Sequence, residues 1–407
     1  MAIQTGDYHA LVANMQAQSS QQRLPLRAMF ELTYRCNFAC IHCYNSDSQK
    51  ASKPHDEVTT QEACRIIDQI RDLGCFVLGF TGGEVFVRPD AMEIFRHAKR
   101  SGFQIIIYTN GYYINETMAD ELAALAPNKV DISIHGMSAP TFERITQRHG
   151  SRDRVFRAIE LLVERGVRVG LKSNLFADNA EEMAAIKQFA DSIGAFHRLS
   201  SEFFARNDRS PEPYRYQLEP EEVHRILERL YPTGKTAPQI ASRADGLDDD
   251  TAVQTPEDDV PQSAAPLFHC GVGRSSLVVT PFGAVKPCLE FDQPTFSIKE
   301  HSLAGCWEKI VEFTDRVNAT EDCECHTCEL ERYCDSCPAS RYLATGSVAK
   351  CDPYARRKAE FKRQLERERV VVPIGIGGSE EAFVPLASLL MTENHAGGCG
   401  SCAKSCS

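Results

Sequence analysis

At residues 36 to 43 the chain reads Cys36-Asn-Phe-Ala-Cys40-Ile-His-Cys43, three thiols within one loop. Three thiolates spaced in this way can bind three irons of a cubane [4Fe–4S] cluster and leave the fourth iron without a protein ligand. A metal with an open position can take a reacting molecule, the property that separates catalytic from structural sites. Two other readings of the same residues stay open here: a zinc site completed by a distant ligand, and buried cysteines with no metal.

A second concentration of thiols follows late in the chain, with Cys270, Cys288, Cys325, Cys328, Cys334, Cys337 and Cys351, and with Cys306 and Cys323 as extras. Cys306 stands beside Trp307 in a helical stretch and reads as a structural thiol. Three more, Cys399, Cys402 and Cys406, stand in a tail of Gly, Ala and Ser that has no large apolar residues to build a core. That tail reads as disordered, with a metal-handling or regulatory role as the other possibility.

Seventeen cysteines in 407 residues have to be placed in a redox compartment. The first thirty residues lack a basic start followed by an apolar run, so no secretory signal is expected. The longest apolar stretches, such as residues 370–376, are too short to span a bilayer. A reducing cytosol is therefore expected, where disulfides are rare and many cysteines read as metal binding. For Cys325 to Cys337 a zinc ribbon with paired Cys-x2-Cys units is the alternative. A formal charge of −11 gives no electrostatic reason to expect nucleic acid. A hydrophobic content of 43% with 25% charged residues suits a soluble globular chain.

The elements that must position these thiols are visible as β-like runs alternating with amphipathic stretches. The runs are 28–34, 75–80, 104–109, 129–134, 167–175 and 196–204, mostly continuous apolar or β-branched segments, as parallel strands covered on both faces require. Between the first two lies a helix entered at Thr59 or Thr60, with Glu62 near its start and Gly74 at its stop. Its Ala63, Ile66, Ile67, Ile70 and Leu73 share one face. Repeated strand–helix units predict a parallel sheet with right-handed crossovers. Six of them predict an α/β fold, a partial (β/α)6 TIM-type barrel with its chemistry at the carboxyl ends of the strands.

Polar motifs fall at those ends: Thr81-Gly82-Gly83-Glu84 after the second strand, Thr109-Asn110-Gly111 after the third, Ser133-Ile-His135-Gly136 after the fourth, and Asn174 after the fifth. The expected organisation is an N-terminal extension (1–26), the barrel (27–205), a helical bridge with an acidic flexible linker (206–268), a cysteine-rich domain (269–356), and a C-terminal helix with a flexible tail (357–407). Within the cysteine-rich domain, VVTPFGAVKPC reads as a β-hairpin.

The Cys-x3-Cys-x2-Cys spacing after ELTYRCN, with Tyr44 after the last cysteine, resembles the radical S-adenosylmethionine superfamily. The resemblance implies that Cys36, Cys40 and Cys43 hold a cluster whose open iron chelates S-adenosylmethionine. It also implies that electron transfer releases a 5′-deoxyadenosyl radical, which abstracts hydrogen from substrate. Gly82, Gly83 and Glu84 would meet the methionyl amino group. Ser133 and an arginine of the following helix, Arg144 or Arg148, would meet the ribose or carboxylate. Tyr44, Asn110, His135 and Asn174 complete the implied cofactor-binding set.

The later cysteines resemble the SPASM extension of radical enzymes, which holds two auxiliary clusters. Mapped by order, Cys325, Cys328, Cys334 and Cys351 ligate the distal cluster, while Cys270, Cys288 and Cys337 hold the proximal one. Two departures stand out. The last pair, Cys334 and Cys337, has two intervening residues where the pattern has three. The proximal set also lacks a fourth ligand between Cys270 and Cys288, so that cluster is open to substrate or uses Cys306 or Cys323. The implied cofactors are three [4Fe–4S] clusters, the proximal one with [2Fe–2S] as its alternative, and S-adenosylmethionine.

Four functions follow from the resemblance and the residues. The leading one is modification of a peptide or small protein by a thioether, another crosslink or oxidation, with a flavodoxin- or ferredoxin-type electron donor. Recognition of the peptide would use a separate peptide-recognition protein or the cleft itself; nucleic acid and membrane are not expected partners. The second is formylglycine formation as in sulfatase maturases, which tend to place an aspartate beside the second auxiliary cysteine; here Leu289 follows Cys288, with Glu290 and Asp292 nearby. The third is maturation of a small molecule such as a tetrapyrrole. The fourth is a non-catalytic iron–sulfur electron carrier, which would have no use for the cofactor-binding set at the strand ends.

Overall fold

The computed structural model describes residue 15 and residues 17–231, 267–268, 270–291, 293–317 and 322–370. Most of the acidic linker and the whole cysteine-rich tail, with Cys399, Cys402 and Cys406, lie outside the described residues. The chain divides into two compact units, one of Met1–Leu218 with Gly271–Arg316, the other of Glu219–Cys270 with Val317–Ser407.

The first unit is built on one sheet whose nine strands run in the order β6-β5-β4-β3-β2-β1-β7-β8-β9. Strands β1 (Arg27–Thr33), β2 (Val77–Gly82), β3 (Gln104–Thr109), β4 (Lys129–Ser133), β5 (Val169–Asn174) and β6 (Phe196–Ser200) are all parallel to their neighbours. This is the six-stranded partial barrel that the alternating pattern predicts. Each crossover carries helix: α1 (Thr60–Asp72), α2 (Ala91–Arg100), α3 (Glu116–Leu125), α4 (Ala139–Thr146) with α5 (Ser151–Glu164), and α6 (Met183–Ser192). Because the strands are parallel and in sequence order, Thr33, Gly82, Thr109, Ser133 and Asn174 all end at one edge of the sheet.

Local chemistry sets the boundaries. Thr59 caps α1 by accepting from the Glu62 N–H, while the Glu62 carboxylate accepts from the Thr59 N–H, a reciprocal capping box. Ala63, Ile66, Ile67 and Ile70 are buried, and Gly74 leaves the helix at φ +90°. Strand β6 stops at Ser200, four residues before the expected end, because Phe203 turns inward to pack with Ile145 and Phe176.

The hairpin of β7 (Ser276–Val279) and β8 (Ala284–Lys286) forms as the turn residues predict, and it belongs to the barrel's sheet. Strand β7 lies parallel to β1, with Arg27 opposite Ser276 and Phe30 opposite Val279. Its Leu277, Val278 and Val279 are all buried, as in a strand covered on both faces, and its two edges pair with β1 and β8. Strand β9 (Phe296–Ser297) pairs with β8, and α8 (Leu303–Arg316) buries Cys306 and Trp307, as expected of a structural thiol.

The second unit contains α7 (Pro220–Leu230), α9 (Pro338–Thr345) and α10 (Pro353–Val370), with its described cysteines outside these helices. His224 of α7 meets Phe361 of α10 edge-on at 5.5 Å, and Glu219 pairs with Arg357 at 3.1 Å. Among the described residues no helix is long and apolar enough to cross a membrane.

Candidate active site

The loop from Cys36 to Cys43 leaves β1 and is fastened to the end of α4. Ala39 N–H donates to the Thr146 carbonyl at 3.2 Å and Ile41 N–H to that of Ile145 at 3.1 Å. Cys36 Sγ accepts from Phe38 N–H at 3.4 Å and lies 3.8 Å from Asn110 Nδ2. Burial pushes the Cys36 thiol up to about 12 and that of Cys40 well above its ordinary value, and the neighbouring Cys43 adds to the rise at both. Without a metal, Cys36 and Cys40 stay protonated at neutral pH. Thiolates in such a place need a bound cation, which an iron–sulfur core supplies. Two buried polar atoms beside it, Asn37 Nδ2 and His42 Nδ1, have no partner in the protein and are left for a bound group. Among the described residues no three His, Cys, Asp or Glu side chains converge as ligands of a single ion would. A cubane asks instead that each thiolate meet its own iron.

The glycines at the end of β2, Gly82 and Gly83, serve a close approach of two backbones. Gly83 N–H donates to the Thr33 carbonyl at 2.7 Å and Glu84 N–H to that of Arg35 at 2.9 Å. A Cβ on Gly83 would stand 2.3 Å from the Arg35 oxygen and 2.5 Å from that of Tyr34, and Gly82 has φ +127°. The segment that launches the cysteine loop is thus zipped to the end of β2. Glu84 is fully buried and already engaged: Oε1 accepts from Thr109 Oγ1 (2.7 Å) and Phe86 N–H (3.1 Å), and Oε2 from Asn110 N–H (2.6 Å). Burial lifts its carboxyl to about 6 against these three donors. In this structure Glu84 ties β2 to β3, and through Asn110 it reaches the cluster loop, since Asn110 Nδ2 donates to Asn37 Oδ1 at 2.8 Å.

The remaining expected residues fall in two groups. His135 and Asn174 meet, with Asn174 N–H donating to His135 Nδ1 at 3.3 Å, and His135 packs edge-on against His42 at 4.6 Å. Burial holds His135 down to about 4, so its ring is neutral. Ser133 ends β4, half-buried. Tyr44 is half-buried, with its hydroxyl set deep enough that burial and the Glu31 and Glu290 carboxylates raise it well above the ordinary phenol. The two arginines lie apart from this group. Arg144 pairs with Asp178 at 3.2 Å on the surface, and Arg148 stacks over Tyr112 at 5.2 Å, whose ring in turn meets Phe38 of the cluster loop edge-on.

Residues that the motifs do not single out complete the support. Arg35 grips Glu57 with two hydrogen bonds, Nε to Oε1 at 3.2 Å and Nη2 to Oε2 at 2.9 Å, and Thr33 donates to the same carboxylate. Asn37 and His42 lie within the cysteine loop, where adjacency was the available signal. Glu31 and its partner Lys286 are 255 positions apart, and nothing in the AVK of β8 announces a buried ammonium.

In the second unit Cys325, Cys334 and Cys351 are near enough to influence one another electrostatically, as are Cys328 and Cys351. Cys323, 2% exposed, packs with Leu267 and Val348 and stands close to Cys325. Cys337 caps α9 by accepting from Ser340 N–H at 3.3 Å, and is exposed. Cys270 and Cys337 belong to the second unit and Cys288 to the first.

A parallel six-stranded sheet with a three-cysteine loop at the carboxyl end of its first strand defines a class, and comparison with known proteins agrees. The model of the radical SAM superfamily matches residues 30–193. The chain is 27% identical over 348 residues to an AdoMet-dependent heme synthase of Methanosarcina barkeri, covering 81% of this chain and 96% of that protein. It is 25% identical over 340 residues to the antilisterial bacteriocin subtilosin biosynthesis protein AlbA of Bacillus subtilis, covering 78% and 68% respectively. The crystal structure of Streptococcus suis SuiB bound to precursor peptide SuiA superposes with a TM-score of 0.60 at 14% identity, over 87% of this chain and 82% of that one; this likeness is one of fold. Residues 30–193 form a domain of the radical SAM superfamily, and a cysteine-rich C-terminal region follows it. The chain is an enzyme whose class uses a [4Fe–4S] cluster and S-adenosylmethionine.

Proposed function

We propose that this enzyme cleaves S-adenosylmethionine reductively at Cys36, Cys40 and Cys43 and abstracts hydrogen from a peptide or small protein, leaving a thioether, another crosslink or an oxidised residue. The observation that carries the chemistry is the half-buried thiol trio, with Cys36 and Cys40 raised by burial and Cys36 beside Asn110, next to unpartnered polar atoms of Asn37 and His42. Cys325, Cys328, Cys334 and Cys351 hold an auxiliary cluster, and Cys270, Cys288 and Cys337 hold a second. When bound, such clusters accept the electron that a substrate radical gives up on closing its new bond. A flavodoxin- or ferredoxin-type donor supplies the electron that starts the reaction, and the enzyme acts in the cytoplasm. The peptide reading is supported by the bacteriocin biosynthesis relative, whose sequence likeness extends over most of both chains.

A second reading has its own observation. The heme synthase relative matches over nearly its whole length, which favours a tetrapyrrole or similar small molecule in the same site. The experiment begins with anaerobic reconstitution, an iron and sulfide count, and incubation with dithionite and S-adenosylmethionine. About twelve irons per chain, about four for each of three cubanes, with release of 5′-deoxyadenosine, supports the chemistry. Deuterium carried into 5′-deoxyadenosine from a labelled short peptide encoded beside the gene assigns the peptide. Deuterium carried only from a labelled tetrapyrrole moves the assignment to the second reading.

A further inference from the structure

Arg341 lies on the buried side of α9, 4% exposed, with Nη1 3.0 Å from Cys325 Sγ and 3.8 Å from Cys323 Sγ. Its Nε is buried without a partner, and among the described residues no carboxylate pairs with it. A guanidinium stays charged at any pH a protein meets, and a buried charge without a counter-charge is costly. The groups within reach that can balance it are the sulfurs of Cys325 and Cys323 once they are deprotonated.

The neighbouring cysteines face cations as well. Cys334 feels Lys358 and Lys362, which both grip Asp335 at 2.8 and 3.3 Å, while Cys328 and Cys351 feel Arg356. Asp335 and Glu324, which accepts from Cys351 N–H at 2.9 Å, are the carboxylates on the other side of the balance. Arg341 is the cation that both is buried and points at a thiol.

We propose that Arg341 sets the reduction potential of the auxiliary cluster held by Cys325, Cys328, Cys334 and Cys351, stabilising its reduced form through the hydrogen bond to Cys325. The inference rests on the reading that these four cysteines hold a cluster. Reduction by one electron adds one negative charge to the thiolate-ligated centre, and a positive donor at the sulfur favours that state over the oxidised one.

The test uses the full chain with Cys36, Cys40 and Cys43 changed to Ala, reconstituted anaerobically and titrated with dithionite under EPR. It follows the signal that a further Cys328→Ala removes. Arg341→Met and Arg341→Gln are expected to shift that midpoint to lower potential with iron retained, and Arg341→Lys to return most of the shift. A midpoint unchanged in a neutral variant that keeps its iron overturns the inference. Loss of iron from both neutral variants marks Arg341 as part of the scaffold and overturns it too. If no Cys328-dependent iron or signal appears even with Arg341 in place, the cluster reading itself falls and the inference falls with it.

Discussion

Lys286 Nζ lies 2.9 Å from Glu31 Oε2, and neither side chain reaches solvent. The Tyr34 hydroxyl donates to the same oxygen at 2.8 Å, and Lys286 also donates to the Leu289 carbonyl at 3.0 Å. Glu31 stands on β1 five positions before Cys36, and Lys286 ends β8 two positions before Cys288. One buried ion pair thus joins the strand that launches the cluster loop to the strand that leads to a proposed auxiliary ligand. Burying two charges gains little over an apolar pair of the same shape, but leaving one of them alone is expensive.

The pair therefore makes an asymmetric prediction. Lys286→Met alone, which strands the Glu31 carboxylate, is expected to cost about 3–5 kcal/mol. Adding Glu31→Gln, which keeps an acceptor for Tyr34, is expected to restore most of that loss. Urea denaturation of the unreconstituted protein measures both. A double variant as unstable as the single one would show that the ion pair is not what holds this corner together.

Glu84 gives a pH dependence of known sign. Its carboxyl is lifted to about 6, so the folded chain holds this proton more tightly than the unfolded chain does. Stability from this group is then fullest below the ordinary glutamate value and falls as pH rises through about 6, by roughly 2 kcal/mol for a shift of this size. Glu84→Gln cannot ionise. It is expected to lose a hydrogen bond at every pH but to flatten the decline between about pH 4.5 and 7. The difference in denaturation midpoints between the two proteins across that range reads the effect, and parallel curves would refute it.

Asn110 links the end of β3 to Asn37 and Cys36 through its amide. It acts through the loop, in the way outer partners orient a metal ligand. Asn110→Ala is expected to lower 5′-deoxyadenosine formation by about 10- to 100-fold while iron content stays near that of the parent. Full activity with full iron would remove Asn110 from the support of the site.

Much of this site was legible in the sequence because its parts are local. The cysteine loop, the Gly-Gly-Glu turn and the Thr59 cap each lie within a few residues, and strand burial on both faces leaves an apolar run that any reader can find. What stayed hidden depends on long-range placement. Lys286 looks like an ordinary hairpin residue until β7 docks beside β1 and carries it to Glu31. Glu84 reads as a free carboxylate for a ligand until Thr109 and Asn110 arrive from the next strand to use it. Arg144 and Arg148 read alike in the sequence, and only the fold shows that Arg144 pairs with Asp178 while Arg148 stacks over Tyr112. Arg341 is separated from Cys325 by sixteen positions and a helix, so its contact with that sulfur has no signature in spacing.

Gly79 within β2 and Gly83 just after it separate a structural need for no side chain from mere tolerance of one. At Gly83 an added methyl would stand 2.3 and 2.5 Å from backbone oxygens of Arg35 and Tyr34, so the zipper between β2 and the cluster loop would have to part. At Gly79 the nearest atom, at 2.4 Å, is Met29 Sδ, part of a flexible side chain that can turn away. Gly83→Ala is accordingly expected to abolish iron binding at the barrel's own cluster and 5′-deoxyadenosine release, while Gly79→Ala keeps both within about twofold, because a long thioether side chain repacks at small cost. Iron analysis of the two variants in a chain lacking Cys325, Cys328, Cys334 and Cys351 isolates the first cluster. Equal iron in both would mean that the loop does not depend on the zipper.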